Sequence, residues 1–323
     1  MKTKWTNKMV ETLIVLCEEY TYKDVSQKIN NKFKVKTTPN SVRKAYEQYK
    51  IPKIAKDTVK QTKPKILTLD IETAPMLGYI WKLWDNNIAL NQLESDWYIL
   101  SFAAKWYDDP DDKVIYKDQR KARNIENDKP LLNALWKLLD QADIVLTQNG
   151  KKFDVKKINA RFLLNGMKPP SSYRHLDTLI ISKKHFGLTS HKLEYMTDKL
   201  CTKYKKSTHG KFSGFLLWRE TIKGNEAAWD EMEKYNILDI LSLEELYSKL
   251  APWDNSINFS VYNDSETHTC NCGSTDFKKA GFYYTNSSKF QKYTCKSCNA
   301  EYRDSTNLLT KSKRSTLKTR STR

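Results

Sequence analysis

The apolar positions of the chain change period twice along its length. Up to residue 50 they recur at helical spacing: Val10, Leu13, Ile14 and Cys17 on one stripe, then Val25 and Ile29 after a cap near Thr21. A third stripe, Val42, Ala45, Tyr46 and Tyr49, follows the start signals Pro39, Asn40 and Ser41. Residues 1–50 are therefore expected as a small all-α domain of three short helices. The stretch 51–64, IPKIAKDTVKQTKP, is lysine-rich, has proline near both ends and no period, and reads as a linker.

From residue 65 to 250 short apolar runs alternate with longer amphipathic ones. Strands are expected at 65–73, 98–108, 113–118, 143–149 and 175–181, and helices at 128–142, 153–164, 190–201 and 225–249. The first three strands follow one another closely, and helices intervene only afterwards. That order predicts an α/β domain: a mixed sheet flanked by helices, opening with an antiparallel meander. A polar linker, 251–266, leads to a cysteine-rich segment at 267–304. The remainder, 305–323, is rich in Lys and Arg without an acid, and is expected to be disordered.

Composition narrows the class of partner. Across 323 residues, 56 Lys and Arg stand against 38 Asp and Glu, a net charge of +18. No long basic amphipathic helix is visible, so nucleic acid is the polyanion such a chain would bind, ahead of a membrane. No segment has the length of a membrane span, and Glu11, Glu18 and Glu19 interrupt the first apolar stretch where a signal peptide would be continuous. An intracellular, cytoplasmic location is expected. Four of the six cysteines fall between Cys270 and Cys298, which in a reducing compartment means metal ligands and not disulfides.

The chemistry concentrates in acids placed where apolar residues belong. Asp70 and Glu72 lie in the run KILTLDIET; on a strand both point to one face while Ile71 points to the other. Two buried like charges side by side are costly unless a cation joins them or one is protonated. Asn149 ends another expected strand, and Phe153-Asp154 begins the helix after it. On the last long helix Tyr235 and Asp239, at i and i+4, share a face amid Ile237, Leu238, Ile240 and Leu241.

In order and spacing these three pieces resemble the motifs of the DEDD (DnaQ-like) 3′–5′ exonuclease superfamily, on the RNase H-like fold. The resemblance covers about residues 65–250. Its His-type members carry His five positions before the last acid, where this chain has Lys234; Tyr235, four before, matches the tyrosine type. The resemblance implies a site of four carboxylates holding two Mg²⁺ or Mn²⁺ ions. Asp70 would bridge both ions, Glu72 and Asp239 would hold the one bearing the attacking water, Asp154 would hold the other, and Tyr235 would orient the water. Asp177, in HLDTLII, also looks like a family feature and is read as supporting. Tyr79, Trp81 and Trp84, just after the first motif, are candidates for stacking terminal bases.

Cys270-x-Cys272 and Cys295-x-x-Cys298, with Gly273 after the first pair, look like a zinc ribbon: two knuckles giving four thiolates to one structural Zn²⁺. The first knuckle is one residue short of the usual spacing, which leaves His268 as a rival to Cys270. Phe282, Tyr283, Tyr284, Phe290 and Tyr293 lie among lysines, suited either to a mini-core or to nucleic acid. The three amino-terminal helices resemble a Myb-like or helix-turn-helix module, with Arg43 and Lys44 on the last helix and Asn149 of the central domain as further nucleic-acid contacts. His175, His185, His191 and His209 show no metal spacing; His209 and Lys211 lie in a basic loop.

The resulting expectation is a metal-dependent 3′–5′ exonuclease, DNA preferred, held on substrate by the two terminal modules. With no polymerase region in the sequence, it would be a stand-alone enzyme of the kind phages encode. Two alternatives stay open: a ribonuclease or RNase H-like structure-specific endonuclease, and a DNA-binding regulatory protein with an inactive nuclease core.

Overall fold

The computed structural model describes residues 5–49, 63–84, 87–205 and 210–319. The chain divides into two compact units, Met1–Gln61 and Thr62–Arg323. The linker expected at 51–64 lies outside the described residues up to 62, as does His209.

The first unit holds α1 (Asn7–Glu19), α2 (Tyr22–Phe33) and α3 (Pro39–Tyr49). Thr6 and Thr21 cap the first two, each side chain accepting from the N–H three residues on. Met9, Leu13, Val25, Ile29, Val42, Ala45 and Tyr46 form the core. The side chains of Ile14 and Tyr49, expected on the same stripes, are outside the described set. Asn30 fixes the turn before α3: its amide donates to the Thr37 carbonyl at 3.0 Å and accepts from the Thr37 N–H at 2.6 Å. Arg43 and Lys44 lie on the exposed side of α3.

The second unit is built on a five-stranded mixed sheet. Its strands are β1 (Ile66–Thr73), then, after a small ribbon of β2 (Leu77–Gly78) and β3 (Leu93–Ser95), β4 (Ile99–Trp106), β5 (Ile115–Asp118), β6 (Ile144–Thr147) and β7 (Arg174–Asp177). The order is β5-β4-β1-β6-β7, with β5, β4 and β1 antiparallel and β1, β6 and β7 parallel. The predicted meander and mixed sheet are thus present, and β1 is central. Leu67, Leu69 and Ile71 pack against α4 (Lys129–Gln141) and α5 (Asp154–Leu164). The alternate residues face the other layer, formed by α6 (Thr178–His185), α7 (Leu193–Leu200) and the long α9 (Glu226–Leu250), with α8 (Leu216–Ile222) at its start.

Three expectations change here. The apolar run 175–181 is strand only to Asp177; from Thr178 it is α6, because the Asp177 carboxylate accepts the Leu179 N–H at 3.0 Å and starts a helix. A short apolar run does not distinguish a buried strand from a buried helix. The segment 251–266 is no free linker: Ile257 is buried, and Phe259 and Tyr262 pack with it on the end of α9. Residues 305–319 are ordered too. Leu308 donates to the Lys289 carbonyl at 2.7 Å, and α10 (Lys311–Thr316) follows, capped by Thr310.

The cysteine-rich segment folds as β8 (Phe277–Thr285), β9 (Ser288–Cys295) and β10 (Glu301–Arg303), in the order β10-β9-β8. Asn271, between the first two cysteines, joins it to the packed segment: its side chain accepts from the Phe259 N–H and donates to the Ile257 carbonyl, both at 2.9 Å. Among the described residues no helix is long and apolar enough to cross a membrane.

Candidate active site

The strand pattern delivers Asp70 and Glu72 to the face that α9 covers. Opposite them on β4 stand Ala103 and Ser101, in register. From α9, Asn236, Asp239, Ile240 and Leu243 are all buried at the i, i+3, i+4, i+7 spacing of one helix face. Asp70, Glu72 and Asp239 are brought together, each with an oxygen within 4.8 Å of the others. Two unit charges that close repel by about 3–4 kcal/mol at an effective dielectric near 20. Such a cluster of hard oxygen donors fits a divalent cation such as Mg²⁺ or Mn²⁺.

Asn236 was not singled out from sequence. Its amide donates to Asp70 Oδ2 at 2.6 Å, and its carbonyl oxygen accepts from the Ser101 hydroxyl at 3.3 Å. It fixes how the Asp70 carboxylate is turned. The available signal was its place three residues before Asp239, on the same helix face.

Asp154 approaches from α5. It is buried, and its Oδ1 accepts from the N–H of Ile71, the residue between the two β1 acids, at 3.2 Å. Burial pushes its carboxyl up to about 7, against the pull of the Ile71 N–H and its own, with Asp177 raising it further. It is adjacent to the three-acid group without being one of the mutually close set.

The turn that carries the chain to Asp154 is tightly specified. Asn149 is left-handed (φ 64°), and a Cβ on Gly150 would fall 2.3 Å from the Thr147 hydroxyl oxygen, so only glycine fits. Asp177 clips this turn from below: one oxygen accepts the Asn149 N–H at 2.9 Å, the other the Lys151 N–H at 3.1 Å. Asp177 thus holds the turn that leads to Asp154. Tyr235 is half-buried on the flank of α9 one turn before Asp239, its ring edge-on to Trp218 at 6.3 Å.

A groove of about 690 Å³ runs beside the end of β1, lined among others by Thr73, Trp97, Lys157, Phe215 and Trp218. Tyr79, Trp81 and Trp84 are exposed, Trp81 at 96%, and are not part of its lining. The aromatic walls come instead from Trp97, Phe215 and Trp218. Lys157 sits 3.6 Å from the centre of the Trp97 ring.

On the same face of the sheet, further along α9, Lys105 and Glu244 form an almost wholly buried pair at 2.6 Å, with Thr68 donating to the other Glu244 oxygen at 2.7 Å. Here an acid facing the sheet is neutralised by the protein itself.

Cys270, Cys272, Cys295 and Cys298 also converge, all sulfurs within 4.8 Å of one another. Cys270 to Cys298 is 3.4 Å and Cys272 to Cys295 is 3.7 Å. These are far beyond a disulfide bond, and close to the edge of about 3.8 Å of a tetrahedron with Zn–S bonds of about 2.3 Å. Burial raises the Cys270 and Cys298 thiols and acts on Cys295 too, but there N–H groups of Cys298 and Ser297 pull the thiol down to about 6. His268 stays outside the set: its ring packs 4.9 Å from Phe277 and 4.8 Å from Tyr302, and Nδ1 faces the Ser260 hydroxyl. It is the Cys270 sulfur, not the His268 ring, that completes the four-sulfur group.

Residues 91–251 match the family model of the RNase_H superfamily. The matched stretch, just under half of the chain, includes Asp154, Tyr235 and Asp239 but begins after Asp70 and Glu72. Among solved structures, a family B DNA polymerase from the hyperthermophilic archaeon Pyrobaculum calidifontis is similar at a TM-score of 0.42 and 13% identity, over 59% of this chain and 25% of the polymerase. No curated protein matches the sequence.

Proposed function

We propose that this chain is a divalent-metal-dependent nuclease of the tyrosine-type DEDD class, removing nucleotides from the 3′ end of nucleic acid, DNA by preference. The observation that carries this reading is the meeting of Asp70, Glu72 and Asp239 from two distant stretches, within 4.8 Å on one face of an RNase H-like sheet. Bound divalent ions would supply charge neutralisation and an activated water for in-line displacement at phosphorus.

The chain's own groups have separable tasks. Asp70, Glu72 and Asp239 would hold the ions. Asn236 keeps the Asp70 carboxylate turned, and Asp154, anchored on the Ile71 N–H, would complete the set. Tyr235 would hydrogen-bond and orient the attacking water. The groove walls Trp97, Phe215 and Trp218 would receive unstacked terminal bases, with Lys157 close to the phosphates. Arg43 and Lys44 on α3, and one Zn²⁺ held by Cys270, Cys272, Cys295 and Cys298, would belong to the modules that grip the substrate. A four-thiolate site suits a reducing compartment such as the cytoplasm.

The test is the product pattern on linear, 3′-blocked and circular single strands with Mg²⁺ or Mn²⁺. Successive mononucleotide release from open 3′ ends, with circles spared, is the expected result. Cut circles would favour the RNase H-like endonuclease, and no metal-dependent cleavage of DNA or RNA would leave a binding protein.

A further inference from the structure

The β8–β9 hairpin carries aromatic surface that folding does not use. The ribbon's small core consists of Cys270, Cys295, Cys298, Ala300, Phe277 and Tyr302. Phe282 and Tyr284 lie beyond it on β8, 43% and 65% exposed, with ring centres 6.4 Å apart. At i and i+2 they share one face of the strand. The strand is an edge of its sheet, and its register breaks between Lys279 and Phe282, where Gly281 takes φ 81°. Such a bulge re-aims the side chains that follow it.

Cations surround these rings. Lys289, opposite Tyr284 on β9, sits 3.7 Å from the centre of the Phe282 ring and 5.8 Å from that of Tyr284. On the other face Arg303 lies over Tyr283. The hydrogen bond from Leu308 to the Lys289 carbonyl tethers the start of the segment leading to α10, a helix that carries Lys311, Lys313 and Arg314. Between residues 277 and 319 there are ten Lys or Arg and two acids, Glu301 and Asp304. Exposed π faces within an intensely positive surface match one kind of polymer: a polyanion with unpaired, stackable bases.

We propose that the Phe282–Tyr284 face of this hairpin is a second nucleic-acid site, separate from the acidic centre, which takes unpaired bases of single-stranded DNA or RNA on the two rings and their phosphates on Lys289 and the neighbouring basic residues. A duplex, with its base faces stacked inside, would gain only the charge contribution. The site would hold a strand irrespective of sequence, since every base presents a π face.

The test uses the full zinc-loaded chain in an Asp70→Asn background, so that bound strands are not cut. Fluorescence anisotropy is read with labelled oligothymidylate, oligouridylate and a duplex of equal length. The Phe282→Ala/Tyr284→Ala pair should weaken single-strand binding about 10- to 100-fold while leaving duplex binding within about two-fold. The two single-strand arms show whether DNA or RNA is preferred. Lys289→Ala should lower the salt slope of binding by about one. In the wild-type background, cleavage of a p-nitrophenyl ester of thymidine monophosphate should be unchanged by the hairpin pair. Should the alanine pair shed zinc, Phe282→Leu/Tyr284→Leu, apolar but without π faces, gives the same reading. Undiminished oligonucleotide binding by a zinc-retaining pair would overturn the proposal and leave the nuclease reading intact, pointing the surface to a protein partner. Failure of the parent to hydrolyse any phosphodiester would sink the nuclease reading and leave the hairpin result standing.

Discussion

The acidic centre and the cysteine centre both gather metal-ligating side chains from distant parts of the chain, but they are assembled by opposite means. Asp70, Glu72 and Asp239 sit on a central strand and a long helix that Leu67, Leu69, Leu132, Leu135 and Leu246 would hold in place regardless. The scaffold is stable first, and the carboxylates are forced together against their own repulsion. The cysteines have little scaffold: among the described residues, Cys270, Cys295, Ala300, Phe290 and a few half-buried rings supply the apolar material. There a bound metal would make the fold, whereas in the acidic centre the fold makes the site that a metal would occupy.

That contrast orders what perturbation should do. Cys295→Ser should abolish binding of one zinc per chain and unfold the β8–β10 sheet, since zinc affinity of about 10–16 kcal/mol is folding free energy in such small domains. Metal analysis with hydrogen exchange over 270–303 reads both effects. An intact, protected sheet without zinc would erase the contrast. Asp239→Asn should do the reverse: cleavage falls about 10²–10³-fold or more, while the thermal midpoint holds or rises because a repulsive neighbour has been removed. A large loss of stability would show that the acids serve the fold.

The Lys105–Glu244 pair sharpens the comparison from within the same sheet face. Lys105→Met should destabilise by about 3 kcal/mol, the lower end for a broken buried pair, because Glu244 keeps its bond to Thr68. Adding Glu244→Leu should restore most of that loss, which denaturant unfolding of both variants would show. Smallest is Asn271→Ala. Losing its two hydrogen bonds should cost about 1–3 kcal/mol and loosen the ribbon from the packed segment at Ile257 and Phe259, read as raised exchange there with zinc retained.

Period and punctuation made most of this molecule legible. The alternation in KILTLDIET put Asp70 and Glu72 on one face before any partner was known, and helical spacing put Tyr235 and Asp239 together. Contacts across the sheet were not legible. Asn236 looks like any polar helix residue until Asp70 and Ser101 are seen on either side of it, and Lys105 looks like a solvated strand lysine until α9 covers it. Polar composition misled in 251–266 and beyond 305, where a few well-placed groups (Ile257, Phe259, Asn307, Leu308) tie down stretches that are otherwise hydrophilic. The aromatics divided in a way composition does not reveal: Trp97 and Trp218 line the groove, and Trp81 and Trp84 face solvent.

The most direct measurement is a manganese titration of cleavage of a 5′-labelled single strand by the wild type and by Asp70→Ala, zinc content being matched. Stepwise shortening from the 3′ end that rises with Mn²⁺ in the wild type and is lost in the variant is the predicted result. Equal degradation by the two proteins would mean that the carboxylates gathered on β1 and α9 are not where nucleic acid is cut.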